Sequence, residues 1–339
     1  MTSALKHKEP SPSKSSSPLD QLAHVLHDEM EATNSTIIAR AQSHIPLIAE
    51  VAEYLIAAGG KRIRPLLTLA AASMCGKATD AIGLAAAVEF IHTATLLHDD
   101  VVDESKLRRG KPAANIVFGN KATVLVGDFL FARAFELMVE SDDIRILEIL
   151  ARASRIISEG EVLQMSLTGD LGITIAQYED IIDAKTAALF SAACQSGALA
   201  ADAPDHIAES LRKYGHHLGM AFQMVDDLID YAGGSAKMGK ESGDDFREGK
   251  LTLPVILALA RADTDEKAFW KRTMADHEQT PNDLQTARNL IAKYNTLEAG
   301  RNLAKQHVAD ARKALKTLPD APLKATLDEL LDFVVTRDH

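Results

Sequence analysis

The chain has 339 residues, is only 5% aromatic, and sets 37 Lys and Arg against 48 Asp and Glu, for a formal net charge of −11. That length is enough for a sizeable core in one large domain or two ordinary ones, and the wealth of Ala and Leu over β-branched stretches points to an all-helical protein. So acidic a chain is a poor partner for nucleic acid. Its basic residues gather instead beside particular motifs, which suits a small anionic ligand.

Residues 1–18, with SPSKSSSP, are polar and rich in Pro and Ser and are expected to be disordered, leaving 19–339 as one folded domain. A helix is expected from about Leu19, and a second over Thr36–Ala58, stopped by Gly59 and Gly60. Lys61-Arg62-Ile63-Arg64-Pro65 then opens a helix through Cys75. It puts basic groups at a glycine-opened turn beside free backbone N–H groups, a natural seat for an anion. It is not a P-loop, because Leu55 stands where the first glycine is required.

The next helix, from about Thr79, ends in Asp99, Asp100 and Asp103, with Arg108 and Arg109 close behind. Asp99 and Asp103 are four apart, share one helical face, and could grip the same divalent ion. His92 lies two turns further back on roughly the same stripe. Three carboxylates this close repel one another unless something positive sits between them. Mg²⁺, which takes one or two carboxylates plus phosphate oxygens, would supply it. A calcium EF-hand is disfavoured, since the Gly at its sixth position is missing. One such cluster alone could be a solvated acidic helix end.

Further helices are expected over 120–140, 142–168, 176–201 and 204–231, a pattern of long helices and short loops that makes a bundle around a central space. The last ends in FQMVDDLID, where Asp226, Asp227 and Asp230 repeat the D-D-x-x-D spacing. Two clusters at helix ends could face each other across one cavity and hold several metal ions around a diphosphate. Residues 233–250 form a polar, Gly-rich loop with Lys237, Lys240 and Lys250, long enough to read as a lid, and short helices follow from Leu251. Cys75 and Cys194 read as small buried hydrophobes in a reducing compartment. No apolar run is expected to reach the ~18 residues of a membrane span, and the N-terminus has no signal-peptide core. A cytoplasmic protein is expected.

With GGKRIRP at 59–65, LLHDDVVDESKLRRGKP, LVGD at 125–128, Lys185-Thr186 and FQMVDDLID in this order, the sequence resembles the trans-isoprenyl diphosphate synthases of the long-chain polyprenyl (octaprenyl, solanesyl or decaprenyl) type. The matching elements span most of the chain after residue 50. The resemblance implies a single-domain helical bundle around a deep central cavity, usually a homodimer. It also implies an enzyme adding isopentenyl diphosphate head-to-tail, with trans double bonds, to an allylic diphosphate such as farnesyl or geranylgeranyl diphosphate. By the same resemblance, Asp99 and Asp103, supported by Asp100, bind two Mg²⁺ ions beside the allylic diphosphate. Asp226 holds a third ion, with Asp227 and Asp230 completing the rim. Arg108, Lys185 and Lys240 contact that diphosphate, while Lys61, Arg64, His92 and Arg109 hold the diphosphate of isopentenyl diphosphate. Thr186 and Gln223 lie near the developing cation, and Lys250 is a further candidate for closing the site.

The chemistry asks for these residue types. Breaking the carbon–oxygen bond of an allylic diphosphate leaves a carbocation and a heavily negative leaving group, which metal ions and Lys/Arg clamps stabilise. The double bond of isopentenyl diphosphate attacks the cation. The proton is lost to the departing diphosphate, as no side chain in the motifs is an obvious base; His92 is expected to touch phosphate or the core. A terpene cyclase would need no second diphosphate site, a regulatory subunit would not need both acidic motifs, and a metal buffer would bind metal without diphosphate.

The helix before Asp99 bears on product length. Ala94 and Thr95 lie one turn back, with Ile91, Val88 and Ala87 beyond them. Short-chain members of the family place a bulky aromatic near the first two positions. The small side chains here imply a tail running along ~27 Å of helix between Ala81 and Asp99, at ~1.5 Å per residue. Phe131, Phe135 and Met138, on the following helix, are candidates for a deeper floor. A product of about eight to ten isoprene units, a precursor of quinone (ubiquinone) side chains, is expected from that length of wall.

Overall fold

The computed structural model describes residues 17–57, 59–233 and 243–337. Among these, helices follow one another as α1 Pro18–Val25, α2 His27–Ala41, α3 Pro46–Ala57, α4 Ile63–Met74, α5 Ile82–Val102, α6 Ala114–Phe118, α7 Asn120–Val139, α8 Ile144–Ser166 and α9 Ile175–Ile182. They continue as α10 Ala188–Ala200, α11 Asp205–Ala232, α12 Asp244–Arg247, α13 Leu253–Leu259, α14 Thr264–Trp270, α15 Asp283–Lys293, α16 Thr296–Lys316 and α17 Lys324–Thr336. One two-residue antiparallel hairpin, β1 Leu107–Arg108 with β2 Lys111–Pro112, interrupts them directly after the first acidic motif.

Small residues set how closely the central helices approach. α10 packs against α4, α8 and α11, and α11 against α10 and α16. A Cβ on Gly197 would lie 2.1 Å from the Thr68 carbonyl oxygen, and one on Gly219 2.7 Å from the Ala187 Cα. Both glycines are therefore packing residues, chosen for what they lack. α5 crosses this core carrying Ala85, Ala86, Ala87, Val88, Ile91, Ala94 and Leu97, all buried. The stretch 78–102 is long and apolar enough to cross a membrane, with mean hydropathy 1.4, which overturns the expectation that no run reaches that length. Since 61% of its apolar window is buried inside the bundle, the core accounts for its character.

Several expected boundaries move. The helix expected over 36–58 is two: Gln42 turns extended (φ −64°, ψ 141°) and the chain restarts at Pro46, whose ring disfavours helix in the residue before it. The helix expected over 176–201 is broken by a π-helical turn, Asp183–Ala187, and α16 is a long helix of 21 residues where short ones were expected. Ser17 and Pro18 belong to α1, where the Ser17 hydroxyl accepts from the Asp20 N–H at 3.2 Å in a capping box. Residues 1–16 of the expected tail lie outside the described residues. A second apolar cluster, around Trp270, Phe246, Tyr231 and Met274, sits beside the main core in the C-terminal third.

Candidate active site

The first acidic motif forms the last turn of α5, at the negative end of the helix dipole, where carboxylates lose stability rather than gain it. Its three aspartates do different things. Asp100 is buried and turned to Arg108, which donates to it through Nε at 2.9 Å and Nη2 at 2.5 Å, tying the β-hairpin to the helix. Asp103 accepts from Lys250 Nζ at 2.9 Å. Asp99 has no such partner among the described residues; burial and then the Glu161 carboxylate push it up to about 7, against the pull of Lys185.

The second motif ends α11. Asp226 pairs with Arg337 at 2.7 Å, and the Arg337 guanidinium also lies 4.0 Å above the Phe222 ring. Asp227, buried, accepts from the Tyr178 hydroxyl at 2.7 Å and the Gln223 amide at 2.8 Å. Asp230 accepts the backbone N–H groups of Gly243, Asp244 and Asp245 at 3.0, 3.2 and 3.1 Å, so it anchors the start of α12. Burial lifts Asp245 well above the carboxylate range, helped by Asp227 and Asp230.

The two motifs share one hollow. A cavity of about 470 Å³ is lined by Asp103 from the first and Asp227 from the second, together with Lys185, Thr186, Gln223 and Lys250. The π-helical turn widens the backbone by one residue where Lys185 and Thr186 project. Lys185 donates to Glu161 at 2.7 Å and Gln164 at 2.9 Å, and the Thr186 hydroxyl donates to Gln223 Oε1 at 2.8 Å.

Behind α5 lies the basic set. Arg64 Nη1 is 3.1 Å from His92 Nε2, and its guanidinium stacks 4.8 Å from the Phe190 ring. Burial, then Arg64 and Arg109, hold His92 well below the ordinary imidazole value, so it is neutral and its Nε2 accepts from Arg64. Burial likewise lowers Arg64 to about 10, still charged at neutral pH. Arg109 packs on the turn before α4: a Cβ on Gly60, whose φ is +159°, would meet its Nη1 at 2.6 Å. Lys61 is exposed and faces a smaller hollow with Ile63, Phe222 and Arg337. Arg62, itself left-handed at φ 49°, holds the buried Glu89 at 2.6 Å.

Lys237 and Lys240 of the expected lid lie outside the described residues, whereas Lys250 reaches the cavity. Ala94 is fully buried and Met138 nearly so, while Thr95 is half-buried with its hydroxyl on the His92 carbonyl at 2.8 Å. A hollow beside α5 opens on another face, at Phe90, Thr93 and Leu96. Phe131 is half-buried against the core, but Phe135 is 39% exposed and points outward with Leu125 and Val139. Its helical phase, not its size, thus removes it as a floor inside this chain. Sequence reasoning missed Glu161, Gln164, Asp245, Tyr178, Glu89 and Arg337. Each is a single polar letter without a motif, and only the spacing of Glu161 and Gln164, one face of α8, could have flagged them.

Among the described residues no three His, Cys, Asp or Glu side chains converge tightly enough to enclose a cation unaided. The donor set nevertheless fits Mg²⁺, which shares its shell between one or two carboxylates and phosphate oxygens. The upward displacement of Asp99 marks a place short of positive charge.

An all-helical bundle with two aspartate-tipped helices at one cavity and arginines behind it defines the helical isoprenoid synthase class. The polyprenyl synthetase family profile matches residues 45–291. The chain is 41% identical over 323 residues to the octaprenyl diphosphate synthase of Escherichia coli, covering 95% of this chain and 99% of that protein. The crystal structure of a decaprenyl diphosphate synthase from Rhodobacter capsulatus matches at a TM-score of 0.90 and 53% identity, covering 95% of this chain and 100% of that one. That of a polyprenyl synthase from Caulobacter crescentus, complexed with calcium and isoprenyl diphosphate, matches at 0.91 and 51%, covering 97% and 100%. The chain belongs to the polyprenyl synthetase family. It is a prenyltransferase that elongates trans-polyprenyl diphosphates.

Proposed function

We propose that the chain is a Mg²⁺-dependent synthase extending farnesyl or geranylgeranyl diphosphate with isopentenyl diphosphate to about eight to ten units, the range of the octaprenyl and decaprenyl synthases it is similar to. The observation that carries this reading is the shared cavity, with Asp103 and Asp227 from two separate helices and Lys185 and Lys250 between them. Bound Mg²⁺, three ions per site, would neutralise the charge that grows on the allylic diphosphate as it departs. Asp99, Asp103 and Asp226 would hold the ions, with Asp100, Asp227 and Asp230 setting the shape of the rim.

Lys185 is held at 2.7 Å by Glu161 and Lys250 at 2.9 Å by Asp103. Both are thus poised with N–H groups to turn toward phosphate oxygens; Arg108 and Lys240 would join them. The Thr186 oxygen keeps lone pairs free while its proton engages Gln223, offering a negative dipole end to the allylic cation. Lys61, Arg64 and Arg109 would take the second diphosphate, with His92 steadying Arg64 as a neutral acceptor. Because His92 Nε2 is committed to that guanidinium, the proton lost after attack goes to the leaving diphosphate. The exposed apolar residues Val117, Leu125, Phe135 and Val139 along α6 and α7 support a homodimer. A cytoplasmic site of action suits two water-soluble diphosphate substrates.

The test is to incubate purified protein with farnesyl or geranylgeranyl diphosphate, isopentenyl diphosphate and Mg²⁺ and to size the product by mass spectrometry. Products clustering at about eight to ten units would support the reading; absence of any extension would end it, and a terpene hydrocarbon made without isopentenyl diphosphate would replace it with a cyclase.

A further inference from the structure

Away from the cavity, α11 and α16 lie side by side, and each brings an imidazole to the seam. His217 Nδ1 and His307 Nδ1 stand 3.1 Å apart, with ring centroids at 5.3 Å. Two nitrogens this close cannot both carry protons. Burial first, and then His216 and His307, push His217 down to about 4, and burial followed by His216 lowers His307. Both rings are therefore neutral at pH 7 and can present lone pairs, the form in which imidazole binds metals.

The spacing is informative. With metal–nitrogen bonds of about 2.05 Å, two ligands of a tetrahedral ion sit about 3.3 Å apart, and two adjacent ligands of a square-planar ion about 2.9 Å apart. The observed 3.1 Å falls between these values, so an ion could enter with small ring rotations. A carboxylate stands nearby as a candidate third donor. Asp310 lies one turn beyond His307 on α16 and its charge acts on both rings, although it now pairs with Lys313 at 2.7 Å. The H-x-x-D spacing puts both side chains on one helical face.

We propose that His217 and His307, with Asp310 as a third ligand and water completing the shell, form a binding site for one divalent transition-metal ion such as Zn²⁺, Ni²⁺ or Cu²⁺. Imidazole donors separate this site chemically from the oxygen-only aspartates of the cavity, which suit Mg²⁺. An ion here would clip α11, whose far end carries Asp226, Asp227 and Asp230, to α16. The neighbouring His216 already reaches Asp183 at 3.0 Å, at the head of the turn bearing Lys185 and Thr186. The clip would therefore brace both sides of the cavity without entering it.

The experiment uses untagged full-length protein stripped of metal and titrated with Cu²⁺ or Zn²⁺ in the absence of Mg²⁺ and substrates. One equivalent of Cu²⁺ should give an electron paramagnetic resonance spectrum with hyperfine splitting from two nitrogens, and Zn²⁺ should raise Tm. His217→Ala and His307→Ala, on different helices and each checked for helicity by circular dichroism, should each weaken binding about tenfold or more and remove the Tm rise. Asp310→Asn should weaken binding by less. An oxygen-only spectrum, or affinity unchanged in both histidine variants, would overturn the site, and neither result would touch the elongation activity.

Discussion

Three aspartates at the cavity and two carboxylates of the C-terminal third are shifted in opposite directions. In the C-terminal third, Asp283 accepts from both terminal nitrogens of Arg272, two residues beyond Trp270, at 2.9 Å and from the Thr280 N–H at 2.6 Å, and Arg272 holds its carboxyl down at about 2. Glu266 accepts from Lys293 and from the Tyr294 hydroxyl at 2.5 and 2.6 Å and is also held at about 2. Beside the cavity, burial drives Asp99 up to about 7, and within its lining burial lifts Asp227 and Asp245 as well. Asp283 and Glu266 are completed by the chain's own cations, whereas Asp99, Asp227 and Asp245 are left short of them even though Asp103 and Asp226 close by hold Lys250 and Arg337. A structural carboxylate is stabilised by its partner. One kept buried without full compensation lowers stability and awaits a charged visitor.

The strongest way to break this comparison is to remove a carboxylate from each region. Asp99→Ala should lower kcat by about 10²–10³-fold or more while leaving Tm level or higher, since it relieves repulsion. Steady-state kinetics beside a thermal melt will show it, and near-normal turnover would dismiss the metal role of Asp99. Asp226→Ala should be as damaging to rate, but it is the less clean probe. It strips the partner from Arg337, whose side chain is only 6% exposed, so stability should fall too.

Next in size is an effect on product rather than rate. Thr95→Phe should shorten the product without abolishing condensation, as read by mass spectrometry of the chains made. Ala94→Phe tests the same wall less gently, because Ala94 is fully buried and overpacking costs about 1–3 kcal/mol. An unchanged distribution in Thr95→Phe would put the tail on the other face of α5, where Phe90, Thr93 and Leu96 border a hollow.

Much of this was legible in the sequence, for identifiable reasons. The aspartate pairs declare themselves by a repeated four-residue spacing at the ends of apolar runs, and the helical class follows from composition. What stayed hidden depended on partners distant in sequence. Nothing local says that Asp100 belongs to Arg108 while Asp99 has Glu161 as a neighbour, or that Asp230 anchors α12. The break at 42–45 was readable from Pro46, whose effect on the preceding residue is local. The π-turn at 183–187 was not, because it reflects how α9 and α10 must pack on α8 and α11. Phe135 misled because hydrophobicity marks a residue as covered without saying whether the chain's own core or a second copy covers it.

The smallest expected effect sharpens the comparison from the structural side. Asp283→Asn keeps the shape but loses the charge that draws Arg272, and with the side chain only 9% exposed it should cost about 1–3 kcal/mol with kcat unchanged. The pH dependence carries the same sign. Ordinary Asp and Glu titrate near ~3.9 and ~4.3, and Asp283 and Glu266 are held at about 2 in the fold. Their stabilisation is therefore complete above about pH 4–5 and is lost as pH falls toward 2. Trp270 is the single tryptophan of the chain and is fully buried in this cluster, so its fluorescence reports the cluster's acid unfolding directly. Asp283→Asn should flatten the loss of stability between about pH 4 and 2, because the variant begins without part of what acid removes. If the acid limb followed by Trp270 is superimposable in the two proteins, the Arg272 pairing does not hold this region together, and the contrast with the cavity loses its structural half.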